Sequence, residues 1–100
     1  MSGVYPPAAR PRVLKLHPRD NVAVAVRPLE AGELVVLEEE TVAVAEPIPF
    51  GHKLALQMIP KGGDVRKYGE VVGRATSEIG CGHHVHVHNV VSARLPGQGE

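Results

Sequence analysis

The chain has 100 residues, and its 11 Lys and Arg are balanced by 11 Asp and Glu, so the formal charge is zero with neutral histidines. That balance argues against generic nucleic-acid binding, which rests on a positive field over the phosphates. Only Tyr5, Tyr68 and Phe50 offer a ring for stacking. One domain is expected, and a chain this size buries only about 60–70% of its unfolded surface. A partner chain would usefully cover part of so thin a core.

From Met1 to Arg12 the sequence reads as an arm, residues 1–12, in which Pro6, Pro7 and Pro11 oppose helix and little can be buried. It is expected to be loosely ordered or to lie on a neighbouring chain, so self-association as a homo-oligomer is kept open. The arm lacks the apolar stretch of a secretory signal. No apolar run approaches the ~20 residues needed to cross a bilayer, so no membrane is expected. The single cysteine, Cys81, fits a reducing compartment. A cytoplasmic location is therefore expected.

The folded unit is expected over residues 13–94, where the apolar runs are short, valine-rich and closed by turn residues. Val13 to Leu16 opens the sheet. Val22 to Val26 is an unbroken Val/Ala run that suits a strand buried on both faces. Pro28 to Glu33, with Gly32, reads as a turn, followed by strands at Leu34 to Leu37 and Thr41 to Ala45. Pro47 and Pro49 forbid regular pairing through Ile48. Lys53 to Met58 fits either a strand or one helical turn. Gly62-Gly63-Asp64 reads as a tight turn, Val71 to Ala75 as a strand and Gly80-Cys81-Gly82 as a break. His84 to Val91 reads as one final strand, and residues 95–100, with Pro96, Gly97 and Gly99, as a tail. No long helical periodicity and no internal repeat is legible. The expected class is all-β, a compact barrel or clip of short strands.

The densest chemistry lies in His83-His84-Val85-His86-Val87-His88-Asn89. On a strand, residues two apart share a face, which would project His84, His86 and His88 together and turn Val85, Val87 and Val91 toward the core. Imidazoles so spaced can converge on one metal ion, or on a carboxylate if protonated. The alternative is a solvated strand face. No Asp or Glu neighbours the run to complete a closed metal site. A second cluster, Ile48-Pro49-Phe50-Gly51-His52-Lys53, presents an imidazole beside an ammonium on a stiffened loop, suited to a carboxylate or to acid–base work. In Gly63 to Glu70, Lys67 and Tyr68 are placed to orient a polyhydroxy substrate, while Asp64 is expected to hold its own turn. In His17-Pro18-Arg19-Asp20-Asn21, Asp20 and Asn21 suit turn geometry. Each of these three is also consistent with an ordinary polar loop. Cys81, between two glycines, is either reactive in an open loop or a small filler, and without a neighbour to lower its pKa it reads as filler. Neither a phosphate-binding Gly-x-x-x-x-Gly-Lys-Ser/Thr loop nor a Gly-x-Ser-x-Gly elbow is present.

The order of these clusters resembles the N-terminal region of altronate dehydratases. The residues that carry the resemblance are His17-Pro18-x-Asp20-Asn21-Val22-Ala23-Val24-Ala25, then Ile48-Pro49-x-Gly51-His52-Lys53-x-Ala55-Leu56. Gly63-Asp64-Val65-x-Lys67-Tyr68-Gly69-Glu70 follows, then Gly73-x-Ala75-Thr76, and His84-Val85-His86-x-His88-Asn89 closes the series. Related proteins include galactarate dehydratase and the small subunit of sulfolactate sulfo-lyase. The resemblance implies an SAF-like module with a β-clip fold. It further implies a split enzyme in which this chain is the small subunit and a large dehydratase subunit is the partner. Such enzymes eliminate water or sulfite from a sugar-acid or hydroxy-acid substrate, commonly with a divalent metal such as Fe(2+). Under it, His52, Lys53, Lys67, His86 and His88 become the candidate catalytic residues, Tyr68 and Asn89 the substrate-binding ones, and His86 and His88 the metal ligands. The competing readings are the small subunit of a sulfo-lyase and a free-standing β-clip module that binds a carboxylate or a protein without chemistry.

Overall fold

The computed structural model describes residues 11–38 and 40–93. Most of the expected arm and the whole of the tail lie outside the described residues. Among these residues nine short strands run in chain order: β1 Val13–Leu14, β2 Val22–Ala25, β3 Leu34–Val36, β4 Thr41–Ala43, β5 Lys53–Ala55, β6 Asp64–Lys67, β7 Glu70–Ala75, β8 His84–Val85 and β9 Val90–Ser92. No helix occurs among the described residues, so none is long and apolar enough to cross a membrane. The all-β reading holds. All pairings are antiparallel, in three small sheets ordered β1-β2-β5-β8, β3-β4 and β6-β7-β9.

One local pattern builds most of this architecture. An apolar residue is followed two positions on by an exposed tip, then by a glycine, then by a strand whose first inward residue is apolar. It occurs four times: Leu29 to Val35, Ile48 to Leu54, Ile59 to Val65 and Ile79 to Val85. The apolar residues at both ends of each copy are almost fully buried. The glycines, Gly32, Gly51, Gly62 and Gly82, all have φ between 82° and 94°, the left-handed region that a type II turn requires at its third position. In each copy the residue after the glycine donates its N–H back to a carbonyl three positions earlier, as His52 does to Pro49 and His83 to Gly80. The copies then pair, Leu29 with Ile48 and Ile59 with Ile79, each by reciprocal backbone hydrogen bonds. The structure thus contains an internal repeat that the sequence did not reveal. Its constant positions are only one glycine and two aliphatic residues, too few to stand out from the rest of a valine-rich chain.

The repeat yields two small cores. Ala23, Ala25, Leu29, Val35, Val42, Ile48, Leu54 and Leu56 belong to one. Val22, Ala55, Ile59, Val65, Ala75, Ile79 and Val85 form the other. Alternate residues of β2 and β5 enter opposite cores, because successive side chains on a strand point to opposite faces. Hence the unbroken apolar run at Val22: its strand is covered on both sides.

One open choice is settled and two sequence expectations are corrected. Of the two readings of Lys53 to Met58, Lys53–Ala55 takes the strand. Asp64 starts a strand rather than ending a turn, since Val65 carries the inward position of the third repeat. His84 to Val91 is two strands, not one, with a turn at residues 86–89 between them. Val85 is 0% exposed as expected, but Val87 is 81% and Val91 55% exposed, so neither packs into the core.

The opening loop fastens the halves together. The buried Asn21 pairs its amide with β6, donating to the Asp64 carbonyl (2.9 Å) and accepting from the Arg66 N–H (2.8 Å), as a neighbouring strand would. The buried Asp20 carboxylate accepts the N–H groups of Tyr68 (3.0 Å) and Gly69 (2.8 Å). These two have φ of 59° and 77°, so Asp20 holds the hairpin turn that presents Lys67 and Tyr68. The His17 ring lies over Gly69, where a β-carbon would collide with it.

Candidate functional site

The site forms where β5 meets β8. Their ladder sets Lys53 opposite Val85 and Leu54 opposite His84, which carries His52 and His86 to facing places one step beyond the last pair. Their rings stack 3.8 Å apart at 16°. His52 also stacks on His84, with centroids 5.0 Å apart, and its Nδ1 lies 2.8 Å from His84 Nε2. One of those two nitrogens carries the shared proton. His88 leans on His84 at 4.9 Å with a 40° tilt. Alternation along the strand therefore predicts the partnership of His84 and His86 correctly, while His88 arrives by way of the turn.

Asn89 makes that turn. Its side-chain oxygen accepts the His86 N–H (2.9 Å), its amide nitrogen donates to the His84 carbonyl (2.8 Å), and its own N–H donates to the His86 carbonyl (3.0 Å). Both ends of its amide are thus engaged in holding the histidine segment.

His52, His84 and His86, all half-buried, bring one ring nitrogen each to within 4.8 Å of one another. Among the described residues this is the one group of three such side chains poised for a metal ion. His86 Nδ1 is buried with no hydrogen-bond partner, an uncommon state for a polar atom inside a protein and one that a bound cation would relieve. Burial, then the charges of His88, His52 and His86, pull the His84 imidazole below its ordinary pKa of 6.5. Burial, with His52, Lys53 and His88, does the same to His86. Neutral imidazole is the ligand form. The donor set therefore fits a divalent ion of the kind that imidazole binds, and it differs from the sequence expectation in including His52 and His84 and in setting His88 at the side.

Lys53 starts β5 beside this cluster. Burial, aided by the nearby Lys67 ammonium, lowers its pKa. Lys67 ends β6 and lies 5.3 Å from the centroid of the Tyr68 ring, which is largely exposed. The structure thus gathers His52, Lys53, Lys67, His86 and His88 from three separate segments, with Tyr68 at the edge. Cations dominate this neighbourhood, which suits an anionic ligand. A groove lined by Val13, Leu14, Leu16, Val36 and Leu37 contains none of these residues. Beside the half-buried His52, His84 and His86, His88 is exposed.

One contributor was not foreseen. Glu46 reaches across from the segment before the second turn and accepts from His83 Nδ1 (2.9 Å) and the His84 N–H (3.1 Å) through one oxygen. These contacts hold its carboxyl below the ordinary range despite some burial. No local sequence signal marks a contact between residues so far apart. Cys81 is exposed at the tip of the fourth turn, its Sγ donating to the Leu56 carbonyl at 3.4 Å, and burial raises its pKa, away from a reactive thiolate.

Comparison with known proteins places the chain in a family. Residues 11–93 match the family described as the altronate/galactarate dehydratase SAF domain. The chain is 45% identical over 76 residues to altronate dehydratase of Escherichia coli, covering 76% of this chain and 15% of that protein. It is 38% identical over 85 residues to the E. coli galactarate dehydratase (L-threo-forming), covering 83% of this chain and 16% of that protein. Against the (2R)-sulfolactate sulfo-lyase subunit alpha of Chromohalobacter salexigens it is 36% identical over 87 residues, and there the match covers 79% of this chain and 93% of the relative. The chain thus spans only a small part of the dehydratases but nearly the whole of the sulfo-lyase subunit.

Proposed function

Because the chain belongs to the altronate/galactarate dehydratase SAF-domain family, we propose that it acts as the small subunit of a metal-dependent sugar-acid hydro-lyase, with a site that a large subunit completes. The observation that carries this reading is the convergence of three histidine nitrogens within 4.8 Å, beside a lysine whose charge is disfavoured by burial and by a second lysine. A split arrangement has a parallel in the sulfo-lyase subunit alpha, whose length the chain nearly spans. Exposed side chains fit it too, since Phe50, Tyr68 and Val87, each within two positions of a site histidine or lysine in sequence, are exposed large hydrophobic residues.

Elimination beside a carboxylate removes a proton and builds negative charge on the carboxylate oxygens. In this reading His52, His84 and His86 hold a divalent ion such as Fe(2+). When bound, the ion supplies Lewis-acid polarisation of the substrate. Lys67 draws in the substrate carboxylate and stabilises the charge that develops on it. Lys53, pulled toward its neutral form, is this chain's candidate to accept a proton, with the large subunit the expected source of the main base. In this reading His88, outside the ligand triad, exchanges a proton with the departing group. Tyr68 touches substrate hydroxyls at the rim, and Asn89 contributes by fixing the turn. A cytoplasmic setting and a role in carbohydrate breakdown accompany this reading.

The test is reconstitution. The purified chain alone should fail to dehydrate altronate, galactarate or related acids, and mixing it with a cognate large subunit should create activity that a chelator removes and a divalent metal restores. Turnover by the isolated chain at enzyme-like rates would sink the subunit reading. Sulfolactate belongs in the same panel, because the 93% coverage of the sulfo-lyase subunit favours a second reading in which sulfite is the leaving group. Binding of sugar acids without turnover, whatever large subunit is supplied, would leave a free-standing carboxylate-binding module.

A further inference from the structure

The two-residue strand β8 carries His84 and leads straight into His86, yet it lies at the edge of its sheet, with β5 on one side only. Such an edge leaves backbone groups unpaired and frays easily. On the far side from β5, the His84 N–H meets the Glu46 carboxylate at 3.1 Å, and the same oxygen meets His83 Nδ1 at 2.9 Å. The chain next to Glu46 reinforces the grip, since the Ala45 N–H donates to the Gly82 carbonyl at 2.9 Å. Glu46 lies just before the second copy of the repeat and His84 in the fourth. Nothing else among the described residues is seen to pair with that N–H.

We propose that Glu46 is a positioning residue for the histidine centre, closing the free edge of β8 so that the His84 ring stays locked against His52. The inference rests on the proposed function for its purpose, but not for its test. A carboxylate that accepts a backbone N–H makes a charge-assisted bond, and groups one step removed from a metal ligand typically set affinity by about 10–100-fold. Glu46 touches neither substrate nor metal in this account. It acts through the His84 backbone.

The first readout needs no metal. Long-range nitrogen–proton NMR of the imidazoles in the full metal-free chain reports which ring nitrogen holds the proton, and the 2.8 Å contact between His52 and His84 should fix one tautomer on each. Glu46→Ala should collapse the His84 signals to tautomer-averaged positions, and Glu46→Asp, charged but shorter, should do so in part. Glu46→Gln keeps an oxygen acceptor and should preserve the wild-type pattern, as should His83→Ala, which spares the His84 N–H contact. The second readout is cobalt(II) titration of the same proteins. Glu46→Ala should weaken binding about 10–100-fold, and Glu46→Gln should stay near wild type. Unchanged His84 tautomer signals in both Glu46→Ala and Glu46→Asp would overturn the inference, whatever cobalt does. Failure of the wild-type chain to bind cobalt would instead count against the metal centre and leave the positioning result to stand or fall on the NMR.

Discussion

His52 and His84 share a hydrogen bond of 2.8 Å between Nδ1 and Nε2, although 32 residues separate them in the chain. The pair ties the second turn of the fold to the fourth. The chemistry of the site therefore depends on tertiary pairing and not on the histidine run alone.

Replacing His86 by Gln should cost little folding stability, because the residue sits in a turn and no cavity opens. In the reconstituted enzyme the same change should lower the rate by about 10²–10³, the usual effect of losing one charge-stabilising group. His88→Gln should be milder, since His88 only leans on His84 from the side. Paired kinetic and thermal-melt measurements would decide; full activity without both imidazoles would make the cluster structural.

The valines that flank His86 should separate sharply. Val85 is fully buried and Val87 is 81% exposed. Val85→Ala should destabilise by roughly 2 kcal/mol through lost burial and a cavity, while Val87→Ala should stay within about 0.5 kcal/mol of wild type. Urea denaturation of the two variants would measure this. Equal losses would restore the single-strand picture of residues 84–91.

Gly51 and Gly82 have nearly equal φ, 84° and 86°, but unequal surroundings. A β-carbon at Gly51 meets open space, whereas at Gly82 it collides with the Ala43 carbonyl oxygen. Gly51→Ala should cost only the left-handed backbone penalty, about 1–2 kcal/mol. Gly82→Ala must also push the first half of the repeat away from the second, so it should lose most soluble folded protein. Expression yield and melting temperature together give the contrast.

Asp20→Ala should cost about 1–3 kcal/mol, because it strands the Tyr68 and Gly69 N–H groups at a turn with left-handed backbone. Hydrogen exchange should quicken at those two amides first. Uniform quickening across the whole chain would mean that Asp20 supports the fold globally and not the Lys67–Tyr68 turn.

The metal-free protein should lose stability as pH falls below neutral. His84 and His86 have folded-state pKa values below the 6.5 of the free side chain, so the unfolded chain binds protons more readily there, and stability rises with pH through this window. The decline should begin near pH 6.5 and continue to the folded-state values. Glu46, lowered from 4.5, adds a separate decline below that value. Melting curves from pH 8 to 4 should show the upper step shrink when His84 and His86 are both changed to Gln. An unaltered upper step would assign it elsewhere.

Much of this was written in the local sequence. Short β-branched runs broken by Gly and Pro establish an all-β chain, because those residues disfavour helix and fit a pleated, half-buried surface. The unbroken run from Val22 signals burial on both faces. The alternation His84-Val85-His86 correctly turns one valine inward. Beyond His86 that logic fails, since alternation says nothing of a side-chain amide such as Asn89 folding the backbone into a turn. Three-dimensional structure alone decided the rest. His52 joins His84 and His86 because antiparallel register, set by apolar residues in two cores, places them face to face. Asp20 governs the Tyr68 turn and Glu46 the edge at His84 through contacts between distant segments. Hydrogen bonds of that kind depend on where backbone groups are left unpaired, and that is settled only once the whole chain has closed on itself.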